Sequence, residues 1–317
     1  MTEAADQTQP GLLILLLGGR PPGMFFLAAH LRPALIALIA SRDSERNVPE
    51  VKATLQRILP GVHFMDLGVR ALVPPYSVAA VRAVIQHALA AAPDLRPSLS
   101  LTGAPVPMSI AAYQAAQAAD CPVYYVNTND GEIINLLAPD EATPLEVKIT
   151  VADYLALYDL IPDDKHHPQG PALGGHWLEH RVVETARGLR HAGKTLYDDC
   201  QHGFRFLRVE AGREVDFIGV HAGMVLIASC KTGKDARNKA HLDELEAVAK
   251  KLGGDYCVRL YITDQVRQAP PPHQTDPWEQ FLAQANSARI LVVTGADLPR
   301  LSEILQREML TPTYPRR

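Results

Sequence analysis

A basic surplus, paired cysteines and long apolar runs are all missing from this sequence. Its 317 residues carry 31 Lys and Arg against 35 Asp and Glu, a net charge of −4, so any contact with a polyanion has to come from a local basic patch. The four cysteines, Cys121, Cys200, Cys230 and Cys257, are widely scattered and include no CxxC pair. They read as reduced thiols in a cytoplasmic protein. The run "LLILLL" at 12–17 is far short of the ~20 residues that a membrane-spanning helix needs, so it fits a buried strand and no membrane partner is expected. The opening "MTEAADQTQP" is polar and acidic without a basic n-region, and no signal peptide is expected there. What is present is ordinary for a globular protein, 47% apolar and 21% charged, in a chain long enough for two domains with separate cores.

The first part of the chain alternates strand and helix patterns. "GLLILLLGG", "ALIALIA", "SLSLTG" and "CPVYYVN" are near-continuous apolar strands, and "PGMFFLAAHL", "NVPEVKATLQRIL", "SVAAVRAVIQHALAAA" and "PMSIAAYQAAQAA" are helices between them. Such strands predict a parallel sheet covered on both faces. A doubly wound sheet of this kind binds ligands at the carboxyl ends of its strands. The loops there supply Gly18, Gly19 and Arg20, then Ser41 and Arg42, then Thr102, Gly103, Ala104, Pro105, Val106 and Met108, and finally Asn127. A short helix, "TVADYLALYDL", and a Pro/Gly-rich linker, "IPDDKHHPQGPALGG", then mark a boundary. The division read from this is 1–140, a connector and linker at 141–173, and a second domain at 174–317. That second domain predicts a mixed α/β sheet: helix "HWLEHRVVETARGL", strands "FRFLRVE", "EVDFIGVH" and "MVLIASCKT", helix "AHLDELEAVAKKLG", then further strands "YCVRLYIT" and "ARILVVTG".

The hairpin "EVDFIGVHAGMVLIASCKTGK" carries the chemistry. With Ala222-Gly223 as a two-residue loop, His221 faces Met224, Asp216 faces Ser229 and Glu214 faces Lys231. Period-two alternation then puts Glu214, Asp216, Ser229 and Lys231 on one face, and Val215, Phe217, Leu226, Ala228 and Cys230 on the other. Alanine is a poor residue for a primed turn, and a slip of one residue would send the charges into the core. A carboxylate in this position holds a hard divalent cation, the ion acidifies a bound water, and a lysine two residues beyond a second ligand stabilises a phosphodiester transition state. The spacing D-x12-S-x-K is close to the nuclease pattern (D/E)-x(n)-(D/E)-x-K, with serine at the second acid. A surface-facing strand stripe closed by a salt bridge is the alternative reading.

Together these stretches resemble the CRISPR ancillary nucleases that join an N-terminal CARF domain to a C-terminal restriction-endonuclease-like domain of the PD-(D/E)xK type. "TGAPVPMSIAAYQAA" is similar to that family's TGGTKxM loop and following helix, "TVADYLALYDL" and "HWLEHRVVE" to its connector and opening helix, and the hairpin to its catalytic motif. The resemblance implies a Rossmann-like CARF domain followed by a mixed-sheet nuclease domain. It also implies a homodimer that binds a cyclic oligoadenylate, cyclic tetra-adenylate by expectation, and cuts DNA and/or RNA with Mn²⁺ or Mg²⁺ in type III CRISPR antiviral defence. By motif, Asp216 and Lys231 take the metal-ligand and lysine roles. Ser229 and the Cys230 carbonyl complete the metal set, with Glu214 and Glu179 as further carboxylates. Lys234, Arg237 and Lys239 in "CKTGKDARNK" suit backbone phosphates, or form a solvated face.

Two stretches depart from the family pattern. Ser229 stands where an acid is usual, so a catalytically weak or inactive cyclic-oligoadenylate sensor is the competing reading. Ala104, Pro105 and Val106 stand where the family has Gly-Thr-Lys, removing a hydroxyl and a positive charge for which Arg20 and Arg42 are candidate substitutes. A CARF-linked transcription regulator would need a helix-turn-helix module, against which the strands argue. "GLRHAGKT" at 188–195 matches the phosphate-loop expression G-x4-G-K-[ST], but follows an amphipathic stretch that places Trp177, Val182 and Leu189 on one helical face, so Gly188 and Gly193 read as helix-end and turn residues. His176 and His180 have zinc-compatible spacing without a third ligand at motif distance. Asn127 and Asp130 either touch ligand or cap a turn.

Overall fold

Six consecutive leucine and isoleucine side chains are stable in a strand only when both of its faces are covered. The first strand, β1 (Leu12–Leu17), meets that condition, with every side chain at most 1% exposed. The structure, a computed structural model, describes residues 11–18, 22–128, 130–139, 142–158, 160, 176–205, 214–267, 276 and 278–314. The chain divides into two units, 1–147 and 148–317.

In the first unit β1 is followed by α1 (Pro22–Leu31), β2 (Leu35–Ser41), α2 (Val48–Ile58), β3 (His63–Phe64), β4 (Leu72–Val73), α3 (Val78–Ala91), β5 (Pro97–Ser100), α4 (Val106–Ala119), β6 (Val123–Asn127), β7 (Glu132–Asn135) and β8 (Thr143–Pro144). The strands lie in the order β3-β2-β1-β5-β6-β7-β8, with β4 beside the end of β2. Pairing is parallel from β3 to β6, while β7 and β8 extend the sheet antiparallel. Leu12, Ile14 and Leu16 pack with residues of α3 and α4 in one apolar cluster. Leu13, Leu15 and Leu17 point to the opposite face and are equally buried. The α/β sheet expected from the alternating strand and helix patterns is therefore present.

Strand order reverses between β1 and β5, where a doubly wound sheet opens its ligand crevice. A Cβ on Gly18 would fall 2.0 Å from the Gly103 carbonyl oxygen, so the two loops at this point touch through bare backbone. Ser44 Oγ donates to Leu17 O at 2.8 Å, which ties the β2 loop to the end of β1.

The second unit contains α5 (Val151–Ala156), α6 (Trp177–Gly188), the short strands β9 (Arg190–His191) and β10 (Lys194–Thr195), β11 (Asp199–Arg205), β12 (Glu214–His221), β13 (Met224–Lys231), α7 (Ala240–Lys251), β14 (Cys257–Thr263), α8 (Glu279–Ser287), β15 (Ile290–Val293) and α9 (Leu301–Leu310). Its sheet runs β11-β12-β13-β14-β15, antiparallel across β11–β13 and parallel across β13–β15. Within this unit α5 is held by Val151 N donating to Asp199 Oδ2 and Tyr154 OH donating to Leu252 O.

Two expectations are corrected. The strand expected at 204–210 begins at Asp199 instead; 206–210 lie outside the described residues. Polar "DDCQHG" hid it, because β11 is fixed by its ladder with β12 rather than by apolar alternation. The core face of α6 is Leu178, Val182, Val183 and Ala186, while Trp177 is 43% exposed. The expected two-residue turn is present: Ala222 takes φ 46 and Gly223 φ 77, the left-handed pair a primed turn needs, despite the alanine. "HAGK" at 191–194 closes β9–β10 through the same Ala-Gly geometry, φ 48 and 79, so the phosphate-loop lookalike is a helix end and a two-stranded ribbon.

Asp198 secures the hairpin turn by accepting the Ala222 N–H at 2.8 Å. Burial raises its carboxyl pKa to about 6, against opposing contributions from that hydrogen bond and Lys148. A raised folded-state pKa means that protonation favours the fold, so this contribution is present at low pH and is lost as pH climbs through about 4 to 6. Asp198→Asn keeps an acceptor oxygen but cannot ionise. Urea midpoints at pH 4.5 and 7.5 should therefore show a smaller pH-dependent loss of stability in the variant than in the wild type.

Candidate active site

A carboxylate that is 3% exposed is tolerable only if donors surround it. Asp216, on β12, meets this demand through a single oxygen. Its Oδ2 accepts from Lys231 Nζ at 2.8 Å, from the Cys230 backbone N–H at 2.7 Å and from Ser229 Oγ at 3.2 Å. The hairpin register explains the grouping. Backbone pairing runs from His221↔Met224 to Phe217↔Ala228, the register expected from the two-residue turn. One step further out, the Asp216 side chain takes the Cys230 N–H. Gly203, between the pairs His202↔Phe217 and Phe204↔Val215, lies opposite Asp216, so β11 presents no side chain there. Lys231 is 31% exposed; burial lowers its pKa, but the Asp216 charge and hydrogen bond outweigh burial and raise it overall. The lysine is a protonated, partly covered ammonium.

The expected meeting of Asp216 and Lys231 is this diagonal ion pair, one same-face step from the position opposite Asp216. Glu214 is exposed and its backbone pairs with Arg205, whereas the buried Asp216 charge has the stronger need of a cation. Cys230 points its thiol into the core, and burial lifts that thiol well above its usual range.

Glu179 joins the group from the first turn of α6. It is 6% exposed; Oε1 is 2.9 Å from His176 Nδ1, and Oε2 is buried with no hydrogen-bond partner. Burial raises its pKa, the His176 hydrogen bond opposes the rise, and the Asp216 and Glu214 charges add to it, so the carboxylates lie within electrostatic reach of one another. The helix explains the placement: Leu178, Val182 and Val183 dock in the core and draw Glu179 in with them. The sequence points to Glu179, whereas His176 reads there with His180 as a zinc spacing. His180 instead stands edge-on to His202 at 6.5 Å. The i, i+3 spacing of His176 and Glu179 was the available signal.

Among the described residues no group of three or more His, Cys, Asp or Glu is arranged as a metal cage. Mg²⁺ and its substitutes usually keep several waters and bind through one or two carboxylates together with substrate phosphate. Asp216, the unpartnered Oε2 of Glu179, the Ser229 hydroxyl and the Cys230 carbonyl are hard oxygen donors of that kind. The donor set fits.

The remaining expected residues fall into several environments. Gly19 and Arg20 lie outside the described residues. Arg42 is exposed, but Ser41 is 4% exposed and its hydroxyl forms a capping box with Ser44, so it shapes the loop instead of facing a ligand. Thr102 Oγ1 accepts the Val126 N–H at 2.8 Å, next to half-buried Gly103, Ala104 and Pro105. Val106 is 71% exposed, whereas Met108 is fully buried in the core and anchors α4 there. Asn127 Nδ2 donates to Asp130 Oδ2 at 2.6 Å, which is the turn-capping arrangement. In the basic stretch, Lys234 opens the short turn Lys234–Arg237, its side chain lying outside the described residues. Arg237 lies over the Trp278 ring at 5.8 Å, and Lys239 donates to Gln280.

No family model matches this chain, and no curated protein matches it. Solved structures do. Can2 from Sulfobacillus thermosulfidooxidans, in complex with cyclic tetra-adenylate, is similar at 14% identity over 96% of this chain and 98% of that one, with a TM-score of 0.75. Protein VC1899 from Vibrio cholerae is similar at 13% identity over 94% and 97%, TM-score 0.69. A type III CRISPR defence DNA nuclease activated by cyclic oligoadenylate matches 85% of this chain at 16% identity and TM-score 0.59, this chain spanning 48% of its length. At these identities the likeness is one of fold.

Removing Asp216 leaves Lys231 and the buried Cys230 N–H without their acceptor. Both tryptophans, Trp177 and Trp278, belong to the second unit, so their fluorescence follows its unfolding alone. In urea titrations Asp216→Ala should destabilise that unit by about 3 kcal/mol. Asp216→Asn, which keeps an acceptor but no charge, should cost less.

Proposed function

We propose that this protein is a cyclic-oligoadenylate-activated, metal-dependent nuclease of type III CRISPR defence. The observation that carries the reading is the Asp216–Lys231 pair, joined at 2.8 Å on a β-hairpin with Glu179 beside it. It is supported by a fold shared nearly end to end with Can2, whose structure contains cyclic tetra-adenylate. The first unit supplies the ligand crevice where β1 and β5 part. Cyclic tetra-adenylate is the activator proposed for it, and a homodimer the proposed assembly.

In the second unit, Asp216, Glu179, Ser229 and the Cys230 carbonyl would hold Mn²⁺ or Mg²⁺, which when bound acidifies water and neutralises phosphodiester charge. The chain's own residues do the rest. Lys231 is protonated and aimed by Asp216, so its ammonium stands ready for negative charge that develops on the scissile phosphate. Ser229 helps to fix Asp216. Arg237 and Lys239 are exposed on the segment after the hairpin, where they suit the backbone of DNA or RNA, a contact that should weaken with salt.

A second reading, a sensor whose nuclease unit no longer catalyses, is favoured by Ser229, a neutral donor where related motifs carry an acid. Supercoiled plasmid and single-stranded RNA, incubated with protein and Mn²⁺ with and without cyclic tetra-adenylate, test the leading reading. Ligand-dependent cutting is expected, and its absence across substrates and metals would overturn it. Lys231→Ala should reduce cutting by about 100-fold or more. Ser229→Glu separates the readings: activity arising from none marks a decayed site, whereas loss or no change in an active protein means that serine belongs there.

A further inference from the structure

We propose that His176 is a positioning residue that clamps Glu179 for cation binding, an inference that rests on the nuclease reading above. His176 stands immediately before α6, three residues ahead of Glu179, and its side chain is 53% exposed while the Glu179 side chain is 8% exposed. Nδ1 lies 2.9 Å from Oε1. The carboxylate therefore has one oxygen held and one, Oε2, buried without a partner.

A buried carboxylate oxygen left unpaired is unfavourable unless it serves a ligand. An unclamped glutamate has three rotatable bonds and could turn that oxygen out to solvent. The imidazole removes this freedom from the solvent side, and the docking of Leu178 and Val182 fixes the backbone beneath. The carboxylate so held lies within electrostatic reach of Asp216 and Lys231. Histidine is suited to this work because the carboxylate holds one ring nitrogen while the other remains in water. Partners of metal-binding carboxylates typically affect affinity by 10–100-fold when removed. In this reading Glu179 stands in for the acid that Ser229 replaces, and His176 makes it usable.

Mn²⁺ binding to the full chain, without nucleic acid or cyclic oligoadenylate, is measured by titration calorimetry, with thermal melting as the check on folding. His176→Ala should weaken Mn²⁺ binding by about 10-fold with an unchanged melting temperature, because the ring is largely exposed. His176→Asn, whose amide nitrogen stands near the position of Nδ1, should restore affinity to near the wild-type value. Glu179→Gln should weaken binding at least as much as His176→Ala, and adding His176→Ala to it should change nothing further. Unaltered Mn²⁺ affinity in His176→Ala, with Glu179→Gln weakened, would overturn the clamp and leave the nuclease reading standing. The expected affinities in a chain that cuts no substrate would overturn the nuclease reading and keep the clamp. A wild-type chain that binds no Mn²⁺ would end both.

Discussion

A buried negative charge on Asp216 organises the second unit. Its Oδ2 collects a lysine ammonium, a serine hydroxyl and a backbone N–H, and those three donors come from consecutive residues of β13. The strand ladder stops where this begins: past Phe217↔Ala228 the carboxylate takes over the role of a backbone carbonyl for Cys230. The open end of the hairpin is therefore held by a charge, and the same charge aims Lys231. Stability and the aim of the lysine share one interaction. Two carboxylates within electrostatic reach and one ammonium form an arrangement that a plain structural salt bridge does not require.

The surroundings explain why the charge is tolerated. Phe217, Ala228 and Cys230 face the core cluster, so alternation along the hairpin sends Asp216, Ser229 and Lys231 to the other side. Gly203 leaves open the position opposite Asp216 on β11. Tyr261, paired with Ser229 across β13–β14, donates to Ala236 O and so ties the turn after the hairpin to the central strands. The first unit solves a different problem. There the loops after β1 and β5 must approach each other so closely that Gly18 allows no Cβ. At the point where strand order reverses, the described parts of the two loops meet through backbone.

Much of this was legible in the sequence, for reasons that differ by element. The apolar runs of β1, β2 and β5 announce themselves because both faces are buried. The hairpin register followed from counting outward from Ala222-Gly223, since period-two alternation leaves one register that keeps acid and lysine out of the core. β11 was misplaced because its "DDCQHG" lacks alternation; its membership depends on hydrogen bonds with β12. Trp177 and Leu178 exchanged roles because a helical face read from three residues leaves a turn of ambiguity. Ser41 and Met108, picked as ligand contacts by their loop positions, are occupied by a capping box and by the core.

Residue order alone therefore determined the two α/β sheets, the turn that sets the hairpin register and the acid–lysine pairing across it, because each depends on local periodicity and on which faces must be dry. Only the tertiary structure decided that Asp216 gathers three donors on one oxygen, that Glu179 reaches this centre from a helix more than thirty residues earlier, and that His176 stands against it there. Such contacts depend on how far each charge is removed from water, and burial is a property of the packed chain that spacing along it does not encode.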